Sequence, residues 1–267
     1  MPSMIDALIA HWPLNDNADS ATVVDATGNY DGTYKDGDGN VNTSTGASTG
    51  VVNGALDFDG DEYIDTGDTF QSTFQDSFSI SLWCKPTDGQ PAATGWLFGV
   101  STVDPAENDC VWMVLANTGA LTFQYSSNGN RGRLFLNAGL PLFSNGQETW
   151  HHLVMVVDST IRAVGGVKGY LDGVLQPVGA LSKGDTTDVV SADFTSIINP
   201  FIGAEDLGGP TNEYNGLIDN VMLFNKALTQ KEIRRLYRAG MGEEQILTMQ
   251  NRCLRGRYNK WDRSRYR

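Results

Sequence analysis

The sequence predicts an all-β fold, a two-layer antiparallel sandwich with one short helix near its C-terminal end. Three observations predict it. Thirty glycines in 267 residues, many in Asp-Gly, Asn-Gly or Gly-Asp steps, supply the turn residues that tight hairpins need. Strict period-2 alternation appears in Phe78-Ser-Ile80-Ser-Leu82-Trp-Cys84, the signature of a half-buried strand. Short apolar runs recur between turn signals, with no linker and no repeat of fixed period across residues 1–240. A chain of this length buries a sufficient core without disulfides. Its cysteines, Cys84, Cys110 and Cys253, are odd in number and unpatterned, and Cys84 is expected as a small buried hydrophobe.

Taken in order, residues 5–14 read as an opening strand ending at Pro13. Residues 15–50 are poor in large apolar side chains and read as a long polar loop containing a tight turn at Asp25-Ala-Thr-Gly28-Asn29. Val51–Phe58 and Tyr63–Thr66 flank Asp59-Gly60, a hairpin signal. Strands are then expected at 78–84, 95–101, 111–116, 121–126, 132–136, 151–158, 167–175 (turning on Asp172-Gly173) and 197–203. The stretch 213–237 reads as a long strand running into a helix. Leu217, Val221 and Leu223 share one side of its alternation, and Ile218, Met222 and Phe224 share the other. Asp219 falls in phase with the first row, where a bare carboxylate costs several kcal/mol unless a cation or several donors meet it. Thr229-Gln-Lys-Glu232 is a capping box, Ile233, Leu236 and Tyr237 follow at helical spacing, and Gly240 is the stop.

Charge divides the chain. Residues 251–267 hold seven basic groups against Asp262, a net of +6, so the other 250 residues carry −19 of the total −13. An acidic body repels nucleic acid and anionic membranes, whereas the tail suits an acidic partner. Two units are therefore expected, a sandwich over 1–240 and a basic extension over 241–267. In the extension Arg252, Arg255, Arg257, Tyr258, Lys260, Trp261, Arg263, Arg265 and Arg267 are the candidate assembly residues. Arginine with aromatics also suits phosphates and bases, so nucleic acid is expected to be met through the tail alone. The N-terminal residues have neither the basic start nor the apolar run of a signal peptide or membrane helix. The expected setting is a virion, with the protein made in the cytoplasm. The alternatives are a cytoplasmic protein or one exported by a non-classical route.

Seven stretches together carry a family likeness: His11-Trp-Pro-Leu14, Asp25-Ala-Thr-Gly-Asn29, Gly54-Ala-Leu-Asp-Phe-Asp-Gly60, Phe78-Ser-Ile-Ser-Leu-Trp83, Trp150-His-His-Leu-Val154, Gly169-Tyr-Leu-Asp-Gly173 and Gly216-Leu-Ile-Asp-Asn-Val221 with its capped helix. In this order the chain resembles the laminin-G-like, concanavalin A-like jelly-roll domains. The resemblance implies two antiparallel sheets, one often concave, and glycan or protein binding. It also implies a structural calcium held by Asp25 and Asp219 with carbonyls near Asn29, Tyr30 and Gly32, a donor set calcium accepts. The alternative open at this point is that Asp25 forms an Asx turn and Asp219 receives backbone amides or an arginine.

For ligand binding, Trp96, Trp112, Tyr125, Arg131 and Arg133 lie on the middle strands that line the concave sheet in relatives, where aromatics stack on sugars. Related sandwiches that hydrolyse glycans carry paired carboxylates at alternating positions of one strand, and none of this chain's glutamates offers that arrangement. A nucleophile elbow is also missing. The expected function is non-catalytic recognition or assembly, as a bacteriophage decoration, tail or fibre protein displaying a jelly roll. A free calcium-dependent lectin is the first alternative and an atypical glycan hydrolase the second.

Overall fold

A computed structural model describes residues 3–16, 20–43, 46–101, 110–127, 130–136, 140–161, 166–177, 199–206 and 210–240. The expected basic extension over 241–267 lies outside the described residues.

Two eight-stranded antiparallel sheets face each other. The first contains β1 (Leu8–Trp12), β4 (Ala47–Thr49), β5 (Gly54–Asp59), β7 (Phe78–Pro86), β12 (His151–Val157), β13 (Val167–Leu171), β14 (Val174–Leu175) and β18 (Asn215–Phe224), in the order β14-β13-β12-β7-β18-β5-β4. Strand β1 pairs with β18 beyond β5. The second holds β2 (Thr22–Val23), β3 (Gly32–Asp36), β6 (Glu62–Asp65), β8 (Gly95–Ser101), β9 (Cys110–Leu115), β10 (Leu121–Ser127), β11 (Asn130–Phe135) and β15 (Phe201–Ile202), ordered β11-β10-β9-β8-β15-β6-β3-β2. A small hairpin, β16 (Glu205–Asp206) with β17 (Pro210–Thr211), follows β15.

Alternation decides which side chains meet between the sheets. Ile80 and Leu82 of β7, Leu153 and Met155 of β12, and Met113, Phe123 and Tyr125 of the second sheet join one cluster with Trp12, Phe58 and Phe98. Each such burial contributes about 1.5–3 kcal/mol. Cys84 is fully buried in that cluster as a free thiol, as expected.

Three expectations about local structure change. Asp59-Gly60 does not close a hairpin, because β5 before it belongs to the first sheet and β6 after it to the second. Residues 15–50 are not one loop, because β2 pairs with β3, β4 with β5, and β3 with the more distant β6: Tyr34 of β3 sits opposite Ile64 and is buried in the core. Sheet edges of this kind are specified by the partner strand, not by local composition. In β18 the alternation is broken. Asn220 takes a left-handed φ of 51° and the β18–β7 register slips between Asp219 and Met222. This bulge adds one residue, so Ile218 shares the core with Val221 and Leu223, whereas Asp219 falls opposite Trp83 on the outer face.

Helix α2 (Gln230–Ala239) forms as its signals predict. Thr229 Oγ1 accepts from Glu232 N, the Glu232 side chain accepts from Thr229 N, and Gly240 ends the helix at φ 47°. Ile233 and Leu236 pack with Val154, Val156, Tyr170, Met222 and Phe224, the outward-facing residues of the first sheet. A four-residue helix α1 (Gln71–Phe74), which the sequence did not announce, precedes β7.

Candidate ligand-binding site

The outer face of the second sheet is built from the residues that alternate with the core. Across β11, β10, β9, β8, β15 and β6 one row runs Arg133, Gln124, Trp112, Gly99, Phe201, Asp65 by ladder register. The neighbouring row runs Arg131, Ser126, Cys110, Ser101. Four of the five expected ligand residues, Trp96, Trp112, Arg131 and Arg133, therefore occupy positions on one side of one sheet. The side chains of Arg131 and Arg133 lie outside the described residues. Tyr125 is a correction. It is fully buried on the opposite face, with its ring 5.6 Å from Phe78 and its hydroxyl donating to Phe74 O at 3.1 Å. The period-2 pattern of Leu121, Phe123 and Tyr125 against Gln124 and Ser126 carried that signal.

Trp96 and Trp112 are half-buried and meet edge to face at 6.0 Å. Among the described residues neither indole N–H has an acceptor, and the Ser126 hydroxyl, in a fully buried residue, has no partner either. An unmet buried donor costs about 1–3 kcal/mol, so three in one face is an unusual concentration. Beside them Gln124 Nε2 lies 2.9 Å from Cys110 Sγ.

The hairpin of β16 and β17 crosses this face. A Cβ on Gly99 would lie 2.8 Å from the Ala204 carbonyl oxygen, so only glycine lets the hairpin stem pass. Trp96 N donates to Asn212 O at 3.0 Å, and Asn212 Nδ2 donates to Glu205 Oε2 at 3.2 Å. These contacts fix Trp96 at the rim. Gln124, Ser126, Gly99, Glu205 and Asn212 were missed from the sequence. Strand phase could have found the first two, whereas the others depend on where the hairpin lands. Apolar ring edges, N–H donors without a partner among the described residues, and nearby hydroxyl and amide groups together suit a ligand with one apolar face and many oxygen acceptors.

The expected calcium residues lie elsewhere. Asp25 Oδ1 accepts from His11 N (2.7 Å) and Thr27 N (3.1 Å), and Oδ2 accepts from Asn29 N (3.1 Å), Tyr30 N (3.0 Å) and the Thr27 hydroxyl. Burial alone would raise this carboxyl, but the Thr27 hydroxyl and the N–H groups of His11, Thr27 and Asn29 outweigh it and hold the pKa below the usual value. Asp219 Oδ2 accepts from Val51 N (2.7 Å) and Val52 N (3.1 Å), and Oδ1 from Asn220 Nδ2 (2.7 Å). His11 Nε2 lies 3.0 Å from Asn220 Oδ1; because the Asn220 amide nitrogen faces Asp219, the imidazole is the donor here. A buried chain thus runs Asp25, His11, Asn220, Asp219 and joins β1, β18 and the loop at 51–52.

N–H groups cannot face a cation, and both carboxylates are surrounded by them. Asn29 and Tyr30 contribute amide nitrogens, the Tyr30 carbonyl accepts from Trp12 Nε1 at 2.8 Å, and Gly32 pairs with Val23 in the ladder. Among the described residues no group of three or more His, Cys, Asp or Glu side chains is gathered as metal ligands. The residues present do not fit a calcium ion shared by Asp25 and Asp219.

Comparison with known proteins bears on the fold. Residues 58–234 match the family model described as the concanavalin A-like lectin/glucanases superfamily. Domain 4 of AbnA, an extracellular arabinanase of Geobacillus stearothermophilus solved with arabinotriose, superposes with a TM-score of 0.59 at 23% identity, covering 86% of this chain and 98% of that domain. A sialidase of Trypanosoma rangeli matches at 0.58 and 16%, covering 88% of this chain and 33% of the enzyme. The receptor-binding domain of a botulinum neurotoxin C/D mosaic serotype matches at 0.57 and 13%, covering 88% and 52%. The chain spans about a third of that sialidase and half of the toxin domain. No curated protein is similar enough in sequence to count as a relative. Two packed antiparallel sheets, the fold-wide structural matches and a family match over most of the sandwich agree: the chain belongs to the concanavalin A-like lectin/glucanases superfamily.

Proposed function

We propose that this protein is a non-catalytic glycan-recognition module, and that the outer face of the second sheet, centred on Trp96 and Trp112, receives the sugar. The observation that carries the reading is the pair of edge-to-face indoles, whose two N–H donors, like the Ser126 hydroxyl in the same face, have no partner among the described residues. Sugars present an apolar ring face to an aromatic and oxygen acceptors to N–H groups. The arabinotriose in the structure of the similarly folded arabinanase domain makes arabinan fragments a sensible part of any panel.

The test is retention on a glycan array and titration of the best hit. Trp96→Ala and Trp112→Ala are each expected to weaken binding about tenfold or more. Both variants binding as the wild type does would sink the assignment. A screen for released reducing sugar over the same panel tests the non-catalytic half, and turnover there would overturn it. As a setting we propose display on a larger particle such as a phage virion, with the basic residues of 251–267 as the anchor. The charge division of the chain supports this. Full-length protein with Arg252, Arg255, Arg257, Lys260, Arg263, Arg265 and Arg267 all changed to Gln is expected to fail to join the particle; full occupancy would remove the anchoring idea.

A further inference from the structure

We infer that the proposed glycan face takes the end of a linear polysaccharide chain and not a stretch from its middle; this rests on the reading of Trp96 and Trp112 as the sugar platform. Two walls of main chain point to it. The hairpin of β16 and β17 leaves the second sheet after Gly203 and returns at Tyr214, whose N–H donates to Gly203 O at 2.7 Å. Its stem lies on the outer face of β8, where a Cβ on Gly99 would be 2.8 Å from Ala204 O and 3.2 Å from Glu205 Cα. Ala204 is fully buried and Glu205 is 2% exposed, so the stem is packed onto the sheet. The second wall stands at Trp96, whose N–H donates to Asn212 O at 3.0 Å.

Together the walls close one side of the platform. In the ladder Gly99 faces Trp112, whereas Trp96 faces Val114, two residues further along β9. The line from Trp112 to Trp96 therefore runs obliquely over the strands, with an offset of about 7 Å along β9. Its continuation past Trp96 meets Asn212. A sugar chain laid over both rings, 6.0 Å apart, can extend from Trp112 towards β10 and β11 but has to stop at Trp96. Beyond the stem the sheet face is already occupied. Phe201 stacks on Tyr63 at 4.4 Å and packs with Ala204, and is 6% exposed. Asp65, next in that row, is held by Lys35 at 2.8 Å and Asn199 at 3.0 Å.

A chain end also differs in its chemistry. Its last ring carries a free hydroxyl where an internal ring carries a glycosidic oxygen, so it offers a donor as well as an acceptor. The corner has polar groups to meet it. Asn212 and Thr211 are exposed; Asn212 Nδ2 donates to Glu205 Oε2 at 3.2 Å and lies 3.5 Å from the Thr211 hydroxyl.

The probes are debranched arabinan, linear xylan, linear mannan and polygalacturonate. Each is titrated calorimetrically into full-length protein, intact and after partial endo-hydrolysis has multiplied its chain ends about tenfold. For recognition of ends, the sugar mass at half-saturation is expected to fall by about the same tenfold, because sites per gram rise with the ends. An unchanged half-saturating mass would overturn the inference, as would binding to none of the four. If the intact polymer binds as well per gram as its fragments and Trp96→Ala abolishes that binding, the sugar platform stands and end recognition falls. If Trp96→Ala and Trp112→Ala both bind the fragments as the wild type does, the platform falls as well. Asn212 has a left-handed φ of 55°, which glycine adopts freely, so Asn212→Gly removes the amide and keeps the backbone. It is expected to weaken binding of the fragments about three- to tenfold; wild-type affinity in this variant would also overturn the inference.

Discussion

Replacing Asp219 by Asn tests how the buried carboxylate at the bulge is held. Asp219 is fully buried, and burial pushes its carboxyl up to about 7 against the pull of Val52 N–H, Val51 N–H and the Asn220 amide. In the unfolded chain it titrates near 3.8. Between these values the folded state holds the proton more tightly than the unfolded one, so stability falls as pH rises through the window. At 1.36 kcal/mol for each pH unit, the full cost of ionising it in place is about 4 kcal/mol. An Asn at 219 cannot ionise. It can keep Val51 and Val52 as donors if the Asn220 amide turns over and His11 changes tautomer, since each link of the chain can reverse. Any fixed cost of that rearrangement is independent of pH. The assay is guanidinium denaturation of wild type and variant at intervals from pH 3.5 to 8.5, read as the difference between the two. Groups elsewhere cancel in that difference. The variant should gain about 4 kcal/mol on the wild type from the acid to the alkaline end. A difference that stays flat within about 1 kcal/mol would refute the reasoning, because it would mean that three N–H donors fully offset burial.

His152 supplies the opposite slope. Burial lowers its pKa to about 4 from 6.5, with nearby Asp172 only partly offsetting it, and the ring lies between Ser81 Oγ at 2.8 Å and the Trp83 indole at 5.0 Å. Its contribution is present above pH 6.5 and lost as pH falls towards 4, about 3 kcal/mol in all. His152→Gln should remove that acid-side loss in the same denaturation series; an unchanged acid limb would contradict the burial argument. Asp25→Ala should destabilise by about 3–5 kcal/mol, since four backbone N–H groups and a hydroxyl lose their acceptor. A loss under about 1 kcal/mol on chemical denaturation would show the cluster to be replaceable by water. Chelation by EDTA should leave the melting temperature of the wild type in place, because both carboxylates face N–H donors; a rise on adding calcium back would restore the ion-binding reading.

Local chemistry was legible wherever it acts within a few residues. Asp172-Gly173 forms the turn between the paired β13 and β14, Asp59-Gly60 turns the chain although it joins two sheets, the alternation of 78–84 becomes β7, and Thr229 with Glu232 caps α2. The family likeness was legible for the same reason, because turns, strand phases and caps are what its motifs encode. Placing Trp96 and Trp112 on one face followed from strand phase, and ignoring that phase was what misplaced Tyr125. Tertiary structure alone decided three things. Asn220 in a left-handed conformation shifts β18 by one residue and moves Asp219 from the core row to the outer face, because a bulge resets every side chain beyond it. The amides that surround Asp25 and Asp219 come from segments up to 168 residues apart in sequence, so no local pattern shows whether N–H groups or a metal meet those oxygens. Glu205 and Asn212 reach the Trp96 rim only because Gly99 lets a hairpin cross, a contact written in three dimensions and in no stretch of sequence.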